Sequence, residues 1–533
     1  MALAATSMAV QGGVRPSALF TDHMVIQRET QAPVWGWSDA GEEVTVSGSW
    51  GASATATADH DGRWRVNLQT PEAGGPHTLL FKAKTTIELT NVMSGDVWLC
   101  SGQSNMQWPV AKADNPDGEA KNAKYPNIRH FKVGDNPVQS PAPDCKGGWQ
   151  VCSSNTVLGF SATAYFTGRA LHKNLEIPIG LLTSAVGGTP IESWTPPSEQ
   201  MNDPLAKGRK TRLDQEAQSY TPEKAQTQFE ERLAKWKDNI AEAKTQQTKR
   251  PRKPRLQKDP LLSKNYPGNL YNGMIHPLHP FAIKGALWYQ GESNAGMAPQ
   301  SMGASEYYRV QLDRMIRSWR KGFGQDFPFY AVQLPNFRAL QEQPVQAEDT
   351  WPAIRESVTH TAQHTPGVAT AAMIDLGQAK NIHPKNKQDV GLRMASTILN
   401  KTYGKDTPTT PFMKKFTVEG GKGIITFDYS GSGLMVKGDE LKGFAIAGAD
   451  KTFVWADAEI VRQNGADRVE VSSKQVKEPV AVRYGWADNP VCNLTSREGF
   501  PASPFRTDRW DLKEASAAGS AKKDAATSPG KKK

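Results

Sequence analysis

At 533 residues, with 38% hydrophobic and 22% charged side chains, the chain exceeds one ordinary core and reads as two or three globular domains. It holds no run of roughly 20 apolar residues, so no membrane span is expected. The net charge of +10 is concentrated in Pro204 to Leu262, with 15 Lys/Arg against 8 Asp/Glu, and in the stretch from Asp511 onward, with 6 against 3. Solvated charge on two such segments argues against a basic nucleic-acid surface built around the folded domains.

Residues 1–13 are small and mildly apolar and read as the remnant of a signal peptide. Residues 14–95 predict a small antiparallel β-sandwich. Alternating runs such as 43–47 and 64–68 are separated by turn signals, including Asp61-Gly62 and Gly74-Gly75-Pro76. From 96 to 407 the pattern changes: apolar runs at 96–100, 177–186, 281–289, 327–334 and 368–376 alternate with helical stretches. That alternation predicts an α/β fold with a parallel sheet flanked by helices and catalytic residues at the strand ends. The last helix is legible in Val390, Met394 and Ile398, opened by Asn386 as N-cap.

A basic insertion at about 204–262 interrupts this domain. A helix is predicted from Pro222 to Lys244, capped by Thr221, with Phe229, Leu233, Trp236 and Ile240 on one face. The proline-broken run Lys249 to Arg255 reads as a solvated loop. Residues 408–510 return to short β runs, such as 423–427, and suggest a second sandwich-like domain. The Ala/Lys/Ser/Gly tail at 511–533 cannot bury a core and is expected to be disordered. Cys145 and Cys152, seven apart, could close a loop disulfide. Cys100 reads as a buried hydrophobe, and no cysteine spacing suggests zinc.

The chemistry lies in Ser101-Gly102-Gln103-Ser104-Asn105-Met106, directly after the apolar run Val97 to Cys100. A serine on a tight turn at a strand end is where α/β hydrolases expose a nucleophile, although the Gly-x-Ser-x-Gly elbow is absent here. Alone, such a serine more often caps a helix. Three later segments raise the catalytic reading: Ala185-Val186-Gly187-Gly188-Thr189, Trp288 to Asn294, and Ile374-Asp375-Leu376 through Ile382-His383-Pro384. Together they offer a hydroxyl, a base and fixed donors for an oxyanion. Trp108, Trp194 and Tyr289 are candidate platforms for a sugar ring, whereas Trp288 reads as core.

In that order the segments resemble the four blocks of the SGNH hydrolase superfamily. More closely, they resemble the sialate O-acetylesterase family of carbohydrate esterases. Leu19 to Arg28, Val34-Trp35-Gly36-Trp37, Leu270 to Ile275 and Gly285 to Ser293 are similar to that family's recurring phrases. The likeness runs from about residue 16 to about 510, excluding most of the insertion. It implies an SGNH-type parallel sheet framed by N- and C-terminal β-sandwich-like domains. The implied activity is hydrolysis of acetyl esters on sialic acid or another acetylated glycan, through an acetyl-enzyme and without metal or cofactor. Ser104 would be the nucleophile and His383 its base. The oxyanion hole would comprise the N–H groups of Ser104 and Gly187, with Gly188 the alternative to Gly187, and the Gln290 side chain in place of the superfamily's Asn. One departure stands out: where an acid usually precedes the Ile-His-Pro, this chain has Asn381. The site is then either a Ser–His dyad, its tautomer fixed by Asn381 or a backbone carbonyl, or a triad completed by Asp375. Glu292 is expected to hold its loop rather than react. The implied partner is an acetylated carbohydrate and not nucleic acid, and the implied location is secreted or periplasmic. The alternative is a non-catalytic glycan-binding protein on a degenerate esterase scaffold.

Overall fold

A computed structural model describes residues 13–346, 350–429, 431–463 and 465–510. The expected signal remnant at 1–13, apart from Gly13, and the expected tail at 511–533 lie outside the described residues. The chain forms two compact units. The first takes the residues up to 134, 144–191 and those from 278 onward; the second takes 135–143 and 192–277.

The part of the first unit that carries the site is built on the seven-strand main path of its largest sheet. Its strands are β1 (Thr86–Gly102), β2 (Ile128–Lys132), β3 (Trp149–Val151), β4 (Ile179–Ala185), β5 (Gly285–Tyr289), β6 (Phe329–Val332) and β7 (Val368–Ala371). They run in the order β3-β2-β4-β1-β5-β6-β7. All neighbours are parallel except the edge pair β3–β2. β4, β5 and β6 are buried at every position, as strands covered by helices on both faces must be.

β1 is 17 residues long, and its first half belongs to the N-terminal β region. It pairs antiparallel with Gly74–Lys82 there, while its last residues pair with β4 and β5. The expected boundary at residue 95 therefore falls inside a continuous strand. β2 and β3 were not expected; both are short, and β3 alternates too little to be distinguished from a loop. The expected strand at 368–376 stops at Ala371, leaving Asp375 on the loop beyond it.

Two helices shape the site. Ala162–Leu175 is α1, capped by Ser161, whose hydroxyl accepts from the Ala164 N–H. Lys387–Tyr403 is α2, capped as expected by Asn386, which accepts from the Asp389 N–H. Val390, Met394 and Ile398 on α2 are buried.

At the C-terminal end, two four-stranded antiparallel sheets form. One takes Phe412–Glu419, Lys422–Asp428, Ala466–Ser472 and Asp457–Gln463. The other takes Phe453–Trp455, Phe444–Ala447, Ala481–Tyr484 and Phe505–Arg506. Ile425 and Val469 of the first share a core with Phe444, Val482 and Phe505 of the second.

In the second unit the helix Pro222–Thr245 is capped by Thr221, whose side chain accepts from the Lys224 N–H. Its expected apolar stripe is only half-buried, and Trp236 Nε1 donates to Pro251 O, pinning the Lys/Arg/Pro run to the helix. The helix Pro204–Gln218 was not anticipated, because so polar a stretch carries no apolar stripe. All four cysteines are free thiols, so the Cys145–Cys152 disulfide is absent. Burial pushes those two thiols up to about 12 and about 11.

Candidate active site

Strand register brings three of the four expected segments to one level. Gly102 pairs with Ala185 on one side and with Tyr289 on the other, so the loops starting at Gln103, Val186 and Gln290 leave the sheet together. Hydrogen bonds tie them: the Gln103 N–H donates to Tyr289 O at 3.0 Å, and the Val186 N–H donates to Gly102 O at 3.2 Å. Gly102 has φ +139°, and a Cβ there would lie 2.2 Å from Tyr289 O, so only glycine fits this turn. Ser104 then opens the single helical turn Ser104–Gln107.

Ser104 and His383 line one cavity of about 350 Å³, with Gln107, Trp108, Lys112 and Lys132. No hydrogen bond joins Ser104 to His383 among the described residues. Such bonds often form only once substrate is bound. The His383 ring is stacked on Trp108, with centroids 4.8 Å apart and planes at 14°. Trp108 is itself anchored, Nε1 donating to Lys112 O at 2.9 Å. Burial, then the positive charges of Lys387 and Lys112, hold His383 below the ordinary imidazole range. Its ring is consequently neutral at neutral pH and able to accept a proton.

The residue after Ser104 anchors a polar bridge in which Asn105 and Lys387 are buried and Glu292 is half-buried. Asn105 Nδ2 donates to Glu292 Oε1 at 2.6 Å and to Ile382 O at 3.1 Å, while Asn105 Oδ1 accepts from Lys387 Nζ at 2.6 Å. The residue after Ser104 thus holds the peptide just before His383. Burial raises the Glu292 carboxyl and lowers the Lys387 ammonium to about 7. Glu292 is engaged in holding this bridge. Sequence reasoning missed Lys387 and the Asn105 bridge. The available signal was a lysine three residues before Val390, at the head of the buried stripe of α2. Lys387→Met is expected to remove one charge that depresses His383, so its pKa rises. The acidic limb of kcat/KM should then move to higher pH than in the wild type, checked by a pH profile.

The other expected site residues have these partners and places. The Asp375 carboxylate is held bidentately by Arg393, at 2.6 and 2.9 Å, and makes no hydrogen bond to His383. Asn381 Oδ1 accepts from the His383 backbone N–H at 3.0 Å, so that side chain shapes the turn rather than gripping the ring. Gln290 is buried, and its Nε2 donates to Thr189 O at 3.0 Å and Asn294 Oδ1 at 2.7 Å, leaving neither amide hydrogen for an oxyanion. The Gly187 N–H donates to Gln107 Oε1 at 2.9 Å. Gly188, at φ +68°, sits on the exposed turn beyond it. Tyr289 and Trp194 are fully buried and offer no face to a sugar. Of the three proposed platforms, only Trp108 lines the cavity.

Residues 94–242 and 259–400 match the family described as carbohydrate esterase, sialic acid-specific acetylesterase. Sialate O-acetylesterase of Rattus norvegicus is 28% identical over 92% of this chain and 94% of its own length. That of Homo sapiens is 27% identical over 92% of each. The crystal structure of a carbohydrate acetylesterase from Xanthomonas citri superimposes with a TM-score of 0.76 at 34% identity, covering 93% of this chain and all of that one. With a family match spanning more than half its length, the chain belongs to the sialic acid-specific acetylesterase family of carbohydrate esterases.

Proposed function

We propose that this chain is a serine esterase of the SGNH type that removes acetyl groups from an acetylated acidic sugar such as sialic acid. The observation carrying this reading is that Ser104 and His383 line one cavity at the C-terminal ends of parallel strands. His383, kept neutral, takes the Ser104 proton as Oγ attacks the acetyl carbonyl, then returns it to the departing sugar oxygen. Water, activated by the same ring, releases acetate from Ser104. With Asp375 committed to Arg393, the pair acts as a dyad, and the Trp108 stack with the Asn105 bridge orients the base instead of an acid. No step requires a metal or cofactor.

The charge of the cavity supports an acidic sugar. Lys112 and Lys132 line it, and no carboxylate does among the described residues. Replacing both lysines with alanine is expected to lower kcat/KM about tenfold or more on an O-acetylated sialic acid. Turnover of neutral p-nitrophenyl acetate should change little. Equal losses on both substrates would contradict the assignment. Export, whether secreted or periplasmic, belongs to the same reading and is checked by fractionating cells that express the full chain. Among the described residues no helix is long and apolar enough to cross a membrane.

The committed Asp375 favours one second reading, a glycan-binding protein without turnover. Its signature is saturable binding of acetylated glycan with no acetate released by the wild type.

A further inference from the structure

We infer that Gln107 is a catalytic residue, whose side-chain Nε2–H donates the hydrogen bond to the oxyanion that sequence reasoning assigned to Gln290. The inference rests on the serine-esterase reading above. It starts from a count of donors. Gln290 has both amide hydrogens engaged by Thr189 and Asn294, and its Oε1 accepts from Tyr308 Oη at 2.6 Å. The Gly187 N–H is engaged by Gln107 Oε1. Of the donors expected at the site, this leaves the N–H of Gly188, on an exposed turn, and the Ser104 N–H, which at the first residue of its helical turn has no intrahelical acceptor. An N–H on a turn open to solvent is a weak partner for an oxyanion, so the hole lacks a fixed side-chain donor.

Gln107 supplies what is missing. It lies three residues after Ser104 on the same helical turn, a spacing that puts the two on one face. Its side chain lines the cavity with Ser104 and His383. A Cβ placed on Gly187 would lie 3.2 Å from both Gln107 Oε1 and Ser104 Cβ, so the carboxamide oxygen and the Ser104 side chain border the same glycine. Gly187 holds Oε1 and thereby fixes which end of the amide is free. Nε2 has no partner among the described residues. When Ser104 Oγ bonds to the acetyl carbon, its proton passes to His383 and the carbonyl π pair moves onto oxygen. Nε2–H then donates to that oxygen and keeps its own proton. Gly187 acts through Gln107 and is a positioning residue.

The test compares wild type, Gln107→Ala, Gln107→Glu and Ser104→Ala on p-nitrophenyl acetate. Gln107→Glu keeps an acceptor for the Gly187 N–H but has no amide donor, which separates donation from support of the turn. Both Gln107 variants are expected to lose about a hundredfold or more in kcat with little change in KM. They should also react more slowly with a serine-directed phosphonate, whose phosphoryl oxygen draws on the same donor. Circular dichroism confirms that each variant is folded, and a misfolded Gln107→Ala leaves Gln107→Glu to decide. Wild-type turnover in Gln107→Glu would overturn the inference and make Gln107 a support for Gly187. Faster turnover in Gln107→Ala would overturn it too, marking Gln107 as a plug over the Gly187 N–H. Turnover in Ser104→Ala equal to wild type would instead sink the esterase reading, and the inference with it.

Discussion

Ser104→Ala is expected to lower kcat/KM for p-nitrophenyl acetate by roughly 10⁴- to 10⁶-fold. The loss should fall on kcat, because alanine leaves the cavity walls intact and removes only the attacking oxygen. His383→Ala is expected to lose activity on a similar scale, and Ser104→Ala/His383→Ala no more than the worse single variant, since the two act as one unit. In the wild type, the pKa of His383 is depressed by burial, Lys387 and Lys112. A base must be neutral to act, so activity should rise through a pKa below the ordinary imidazole value and hold level at neutral pH. An acidic limb above that value would contradict the environment assigned to His383.

The largest stability effect is expected far from the cavity. Arg483 and Asp508 form a buried fork, Nε to Oδ2 and Nη2 to Oδ1 both at 2.8 Å, with side chains only 2% and 1% exposed. Asp508→Ala strands the guanidinium without its anion. Its stacking near Phe453 and Trp486, 4.4 and 5.6 Å from the ring centroids, compensates little of that loss. The expected cost is roughly 3–5 kcal/mol, read from denaturant unfolding. Replacing both partners with apolar residues of similar volume should restore much of it, because the fork's attraction largely offsets the desolvation of its two charges. A cost below about 1 kcal/mol in Asp508→Ala, the size typical of an exposed pair, would show that water reaches the guanidinium.

The sequence made the frame of the site legible where a short motif carried its own backbone demand. Gly102 before Ser104 is required by the approach of Tyr289 O, and that same crowding sets the three loops level. Asn386 and the Val390-Met394-Ile398 stripe fixed α2, because capping and period are local properties. Side-chain direction was less legible. Gln290 stands in the expected loop yet turns inward to Thr189 and Asn294, and Asp375 turns to Arg393. Each choice is made by a partner distant in sequence that spacing does not reveal. The Asn105 bridge to Glu292 and Lys387 joins residues 187 and 282 positions apart. A hydrophobic run gives no sign that one strand continues from one pairing environment into the next, as Thr86–Gly102 does across residue 95.

The central claim is covalent catalysis on Ser104, and rapid quenching during turnover of p-nitrophenyl acetate tests it most directly. The peptide containing Ser104 should carry the mass of one acetyl group, and the same peptide from Ser104→Ala should carry none. Wild-type turnover with no acetyl on that peptide, or with acetyl on a different residue, would contradict it.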